Sequence, residues 1–80
     1  MNSLYKLRAV AAQRLWASAE QKLASDSSDA NRANRDKTKN MTKVMAREWY
    51  EYAKSAGKSS DKAKALCISA AGTEDYCEGA

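Results

Sequence analysis

Residues 41–57 read MTKVMAREWYEYAKSAG, and the fold turns on which side of this stretch faces inward. Met41, Met45, Trp49, Tyr52 and Ala56 recur in steps of three and four, with Val44 beside them. On a helix advancing about 100° per residue they form one stripe, the pattern of a core-facing helix. Lys43, Arg47 and Lys54 fall on the opposite side, with Tyr50 interleaved among them. Gly57 closes the stretch, and glycine accepts the left-handed backbone that ends many helices.

Upstream, residues 31–40 are strongly polar, which leaves two starts open for this helix. Ser28 or Asp29 as cap gives a helix over about 29–56, and Thr38 or Asn40 gives a shorter one beginning near 40. Residues 25–29, Ser-Asp-Ser-Ser-Asp, are a break, because such side chains bond their own backbone and favour turns and caps. Before the break, residues 3–24 read as a first amphipathic helix capped by Asn2 or Ser3. Leu4, Leu7, Ala11, Ala12, Leu15, Trp16, Ala19 and Leu23 share one broad face, with Tyr5 at its edge and Lys6, Gln13, Glu20 and Ala24 opposite. Arg8 intrudes on the apolar face, where its long stem can snorkel outward or meet a partner.

Downstream, Lys58, Ser59 and Ser60 lead into a third helix over about 61–71, with Ser60 as cap and Asp61 at the positive helix end. Gly72 ends it, and residues 73–80 form an acidic tail carrying Glu74, Asp75 and Glu78. The expected architecture is one all-α domain over residues 1–80. Two long helices form an αα-hairpin, and a shorter third packs across it as in a three-helix bundle.

Composition agrees with helix and warns of a thin core. There is no Pro and no Phe, while 16 of the 80 residues are Ala. The larger aliphatics number only eight: Leu4, Leu7, Leu15, Leu23, Leu66, Val10, Val44 and Ile68. A chain this short buries only about two-thirds of its unfolded surface. Self-association or docking on a larger partner would supply the missing burial. Leu15, Trp16, Met41, Met45, Trp49 and Tyr52 are therefore candidates either for the core or for anchoring a partner, since large aromatics serve both purposes.

Three constellations bear on function. The back of the second helix carries Arg32, Lys39, Lys43, Arg47 and Lys54, with Arg35 at its edge. Between residues 32 and 47 lie six basic side chains and one acid, Asp36, a local balance of +5 against +4 for the chain. Such a row can follow a phosphate backbone or an acidic protein surface, or it can simply face water. Second, Ala53, Gly57 and Leu66 are spaced in a way that resembles the helix-turn-helix motif over residues 49–68, although Ala63 stands where that motif carries Ile or Val. The resemblance implies that Ser59, Ser60, Lys62 and Lys64 face a DNA major groove; the plainer reading is a helix–Gly–helix corner. Third, Cys67 and Cys77 lie five residues either side of Gly72, so a reversal there makes them a candidate disulfide. With no leader-like apolar run, a cytoplasmic location and two reduced thiols are the expectation, with Cys67 buried and Cys77 free on the tail.

The chain has no His, which removes the commonest general base and metal ligand. Two Cys are too few for a zinc site, and no two glycines lie close enough for a phosphate loop. Glu48 and Glu51 sit beside Arg47 and Lys54 and read as ion pairs rather than as acid–base machinery. No catalytic site, cofactor or metal is expected. The expected function is a small non-enzymatic binding protein, a regulator, adaptor or inhibitor of a protein or nucleoprotein. The alternatives are direct DNA or RNA binding and a structural homo-oligomer, with a homodimer its simplest form. Apolar faces this rich in Ala insert weakly into lipid, which counts against attachment of the first helix to an anionic membrane.

Overall fold

A computed structural model describes residues 3–77. The alternative cap Asn2 and the tail acid Glu78 lie outside the described residues. Within them the protein is all-helical, in the order α1 (Leu4–Ser25), α2 (Asp29–Ser55) and α3 (Ser60–Ala71). Local chemistry sets every end. Ser3, Ser28 and Ser59 cap the three helices by accepting from the backbone N–H groups of Lys6, Asn31 and Lys62. The long α2 with its start at residue 29 is thus the form adopted, and the α3 cap is Ser59 rather than Ser60. Gly57 and Gly72 both take positive φ, 96° and 75°, the left-handed backbone anticipated at Gly57.

The α1–α2 corner is closed by one side chain. Asn31 Nδ2 donates to the carbonyl of Asp26 at 2.8 Å and, at 3.4 Å, shares the Lys22 carbonyl with the Asp26 backbone N–H. The helices then run antiparallel. Tyr5 stacks on Tyr52 at one end, with ring centroids 4.9 Å apart, and Arg35 reaches Glu20 at 3.3 Å towards the other.

The inward faces differ from the expected ones. On α2 the buried row is Thr38, Thr42, Ala46, Trp49, Tyr50 and Ala53, so Met41 and Met45 are only half-buried and Tyr52 is exposed. Two threonines take the place assigned to methionines because their hydroxyls are satisfied within the helix: Thr38 Oγ1 donates to Asn34 O and Thr42 Oγ1 to Thr38 O, each at 2.8 Å. A hydroxyl bonded in this way buries at little cost. On α1 the inward row is Ala9, Ala12 and Ala19, with Trp16 and Leu23 half-buried beside it. Small residues on both helices let their backbones approach closely. Leu4, Leu7 and Leu15, on the apolar face of α1 expected to meet the core or a partner, lie outside that contact.

α3 and the residues after it cover one side of the hairpin. Trp49, completely buried, donates its indole Nε1–H to Leu66 O at 3.1 Å and so ties α2 to α3. At Gly72 the chain reverses, and Gln13 of α1 packs so close that a side chain there would meet its amide at 3.3 Å. The reversal brings Cys77 back to Cys67, with Cα atoms 5.6 Å apart, and the two form a disulfide. The expectation of two free thiols is corrected here: Cys77 is buried rather than mobile, because a glycine-enabled turn folds the tail into the core.

Candidate functional site

With α3 on one side, the opposite side of the α1–α2 hairpin is open. Its most prominent feature is the fate of the large aliphatics: none of the eight is buried. Leu4 is 59% exposed, Leu7 63%, Leu15 52% and Val44 45%, while Val10, Leu23, Leu66 and Ile68 are intermediate. The core is built instead from Ala, Trp49, Tyr50 and the disulfide. Leu4, Ala11 and Leu15 follow one exposed line along α1, spaced seven and four, with Leu7 at its edge. On α2 the matching line is Val44, Glu48 and Tyr52, with Met41 half-buried beside it. The Tyr5–Tyr52 and Glu20–Arg35 contacts set the register that puts these two lines side by side. Arg8, Arg47, Glu48, Glu51 and Tyr52 border an open groove of about 630 Å³ on this side. Arg8 lies over the Tyr5 ring, its guanidinium 6.0 Å from the centroid, so the intruding cation keeps its charge at the surface.

The basic face of α2 survives in part. Arg32, Lys39, Lys43, Arg47 and Lys54 are exposed, as assigned. Arg35 is not free. Its guanidinium is held by Asp36 at 2.7 Å and Glu20 at 3.3 Å, and these hydrogen bonds, Asp36 foremost, raise its pKa further above the usual arginine value. Tyr50, assigned to the outer face as a stacking group, is corrected to the core, where it is 5% exposed and carries the Lys54 ammonium 5.5 Å from its ring centre. The wheel position of Tyr50 lies on the α3 side of α2, and only the docking of α3 turned that side inward. Among the described residues the ion pairs are those of Arg35; Glu48 and Glu51 do not pair with Arg47 or Lys54 as expected.

Trp16 occupies neither role cleanly. It is half-buried against Tyr76 of the folded-back tail, with centroids 5.9 Å apart, and its Nε1 is buried without a hydrogen-bond partner among the described residues. Burial, and secondarily Asp75, raises the Tyr76 phenol above its usual 10.0. Together Trp16, Lys39, Asn40, Lys43, Asp75 and Tyr76 border a second open groove of about 510 Å³. No reading of spacing flagged Tyr76, because its neighbours come from three different segments.

The corner between α2 and α3 is a helix–Gly–helix turn. Gly57 and Lys58 donate to Lys54 O and Ala53 O, a left-handed closure that satisfies the last carbonyls of α2. Ala53 and Ala63, two positions of the resemblance, are both fully buried. Ser59, Ser60 and Lys62 are exposed and Lys64 half-buried, with Asp61 exposed among them. The outward start of α3 is thus of mixed charge rather than a concentrated cation surface.

Among the described residues no group of three or more acidic, Cys or His side chains could hold a metal, and no helix is long and apolar enough to cross a membrane. Compared with protein families, curated proteins and solved structures, the chain matches none.

Proposed function

We propose that this is a non-catalytic helical binding protein, an adaptor or regulator whose protein-docking surface is the open side of its α1–α2 hairpin. One observation carries the reading: four of the eight large aliphatic side chains, Leu4, Leu7, Leu15 and Val44, stand at 45% exposure or more, while alanines fill the interior. Single exposed leucines are ordinary. Several along one face of a chain so poor in them mark an interaction surface. Replacing Leu15 and Val44 together by Gln is expected to change unfolding free energy by no more than about 1 kcal/mol at low protein concentration, about 0.5 kcal/mol for each surface exchange. Urea unfolding followed by circular dichroism checks this. Collapse of the variant would assign both side chains to the chain's own core and end the reading.

Nucleic-acid binding is the second reading, favoured by the exposed ridge of Lys39, Lys43, Arg47 and Lys54, which makes no ion pair among the described residues. It ranks lower because Tyr50 is buried and Arg35 is committed to carboxylates. If all four cations meet phosphates, the log–log salt slope of affinity should be roughly −3 to −4, and Lys43→Glu with Arg47→Glu should remove binding. A flat salt response excludes it.

The Cys67–Cys77 bridge also bears on location. Disulfides persist in oxidising compartments and are rare in the cytosol, so the proposed place of action is an oxidising compartment rather than the cytoplasm.

A further inference from the structure

We infer that the chain docking on the open hairpin face is a second copy of this protein, giving an antiparallel four-helix core of two α1–α2 hairpins. The inference rests on the docking reading above and adds the identity of the occupant.

Charge selects the occupant. The open face carries both signs, Arg8 on α1 and Glu48 on α2, level with each other across the same groove. The two are not paired within the chain, since the ion pairs of the described residues belong to Arg35. Rotate a second hairpin by half a turn about an axis parallel to the helices, and α1 of one copy lies over α2 of the other. Arg8 then faces Glu48 of the second copy, twice by symmetry. The same register lays Leu4 over Tyr52, Ala11 over Val44 and Leu15 over Met41. A two-fold contact must be complementary to itself, and this face meets that condition in charge and in apolar pattern. The alternative two-fold, with α1 lying antiparallel on α1, offers Arg8 no such partner, since the one acid of α1, Glu20, is held by Arg35. A purely acidic or purely basic partner would leave Glu48 or Arg8 opposite its own sign.

The apolar part of the face, residues 4–15 and 41–52, is about 17 Å long on a helix pair about 20 Å wide, so the ~800 Å² per partner that stable dimers bury is reached only if the polar remainder of the 44 Å side joins the contact. Burial is also what the chain lacks, because docking would cover the aliphatics that the monomer leaves outside.

Sedimentation equilibrium of the full chain over a wide concentration range is the test, read beside circular dichroism. The expected mass is twice the 8.8 kDa chain. Arg8→Glu should weaken the dimer at least tenfold, Glu48→Arg likewise, and the double exchange should restore it. Val44→Glu should give a folded monomer. A wild-type chain that stays monomeric to millimolar concentration, with Val44→Glu folded, overturns the second copy and leaves the face to a different protein. A dimer indifferent to both charge exchanges, or an assembly larger than two, also overturns it. An unfolded Val44→Glu together with an unfolded Leu15→Gln/Val44→Gln would instead bring down the docking reading itself.

Discussion

Trp49→Ala is expected to cost about 3–5 kcal/mol, the range for emptying a large aromatic site in a packed interior. A domain of this size holds only about 4–12 kcal/mol in total, so the variant should lose at least about a quarter of its stability. The site explains the magnitude. Trp49 is the largest side chain that is completely buried, and the buried cluster around it is mostly alanine with the disulfide, groups that cannot expand to fill the space. The exchange also orphans Leu66 O, the acceptor of the indole N–H, and removes the ring on which Tyr52 stacks at 6.0 Å. Tyr52→Ala is the control. It lies in the same predicted stripe, yet it is exposed and should cost far less. Urea unfolding of both variants decides the matter, and equal losses would mean that the inward side of α2 has been misassigned.

Opening the disulfide is expected to cost about 3 kcal/mol, the chain entropy that a cross-link spanning ten residues removes from the unfolded state. Reduction, or replacement of both cysteines by Ser, should lower the melting temperature sharply. It should also free the segment that holds Tyr76 against Trp16, shifting tryptophan emission to longer wavelength. Identical melts with and without reductant would contradict this role. The same chemistry tests location. Protein trapped with an alkylating agent at cell lysis should show no free thiol if it works in an oxidising compartment. Two alkylated cysteines would return it to the cytosol and leave it without the cross-link.

The two predictions complement each other. Trp49 joins α2 to the start and middle of α3, whereas the disulfide joins α3 to the segment after it, and that segment covers Trp16 and borders Lys39 and Lys43. The first loss should weaken the molecule globally. The second should first loosen the α3 side and the shallow groove there, leaving the open hairpin face intact until global melting. Hydrogen exchange under reducing conditions would show the order.

Much of the fold was written locally. Ala-rich, Pro-free segments form helices by propensity, a serine stands ahead of each helix, and Gly57 and Gly72 end the last two where glycine alone is comfortable. Those features depend on residues within a turn or two of one another, so number, type and approximate ends of the helices could be read without the third dimension. The exposed ridge of Arg32, Lys39, Lys43, Arg47 and Lys54 was legible for the same reason. Which side of each helix points inward was not. Hydropathy ranks side chains against water, and it favoured Met41, Met45 and the leucines of α1. The packed molecule chose Thr38, Thr42 and a row of alanines, because small side chains allow close helix contact and the threonine hydroxyls find carbonyls one turn back. The disulfide likewise required the reversal at Gly72 to carry Cys77 into the core. Periodicity belongs to a single helix and can be counted along the chain. Direction is settled only between helices, by which surfaces fit, and that is a property of the assembled fold.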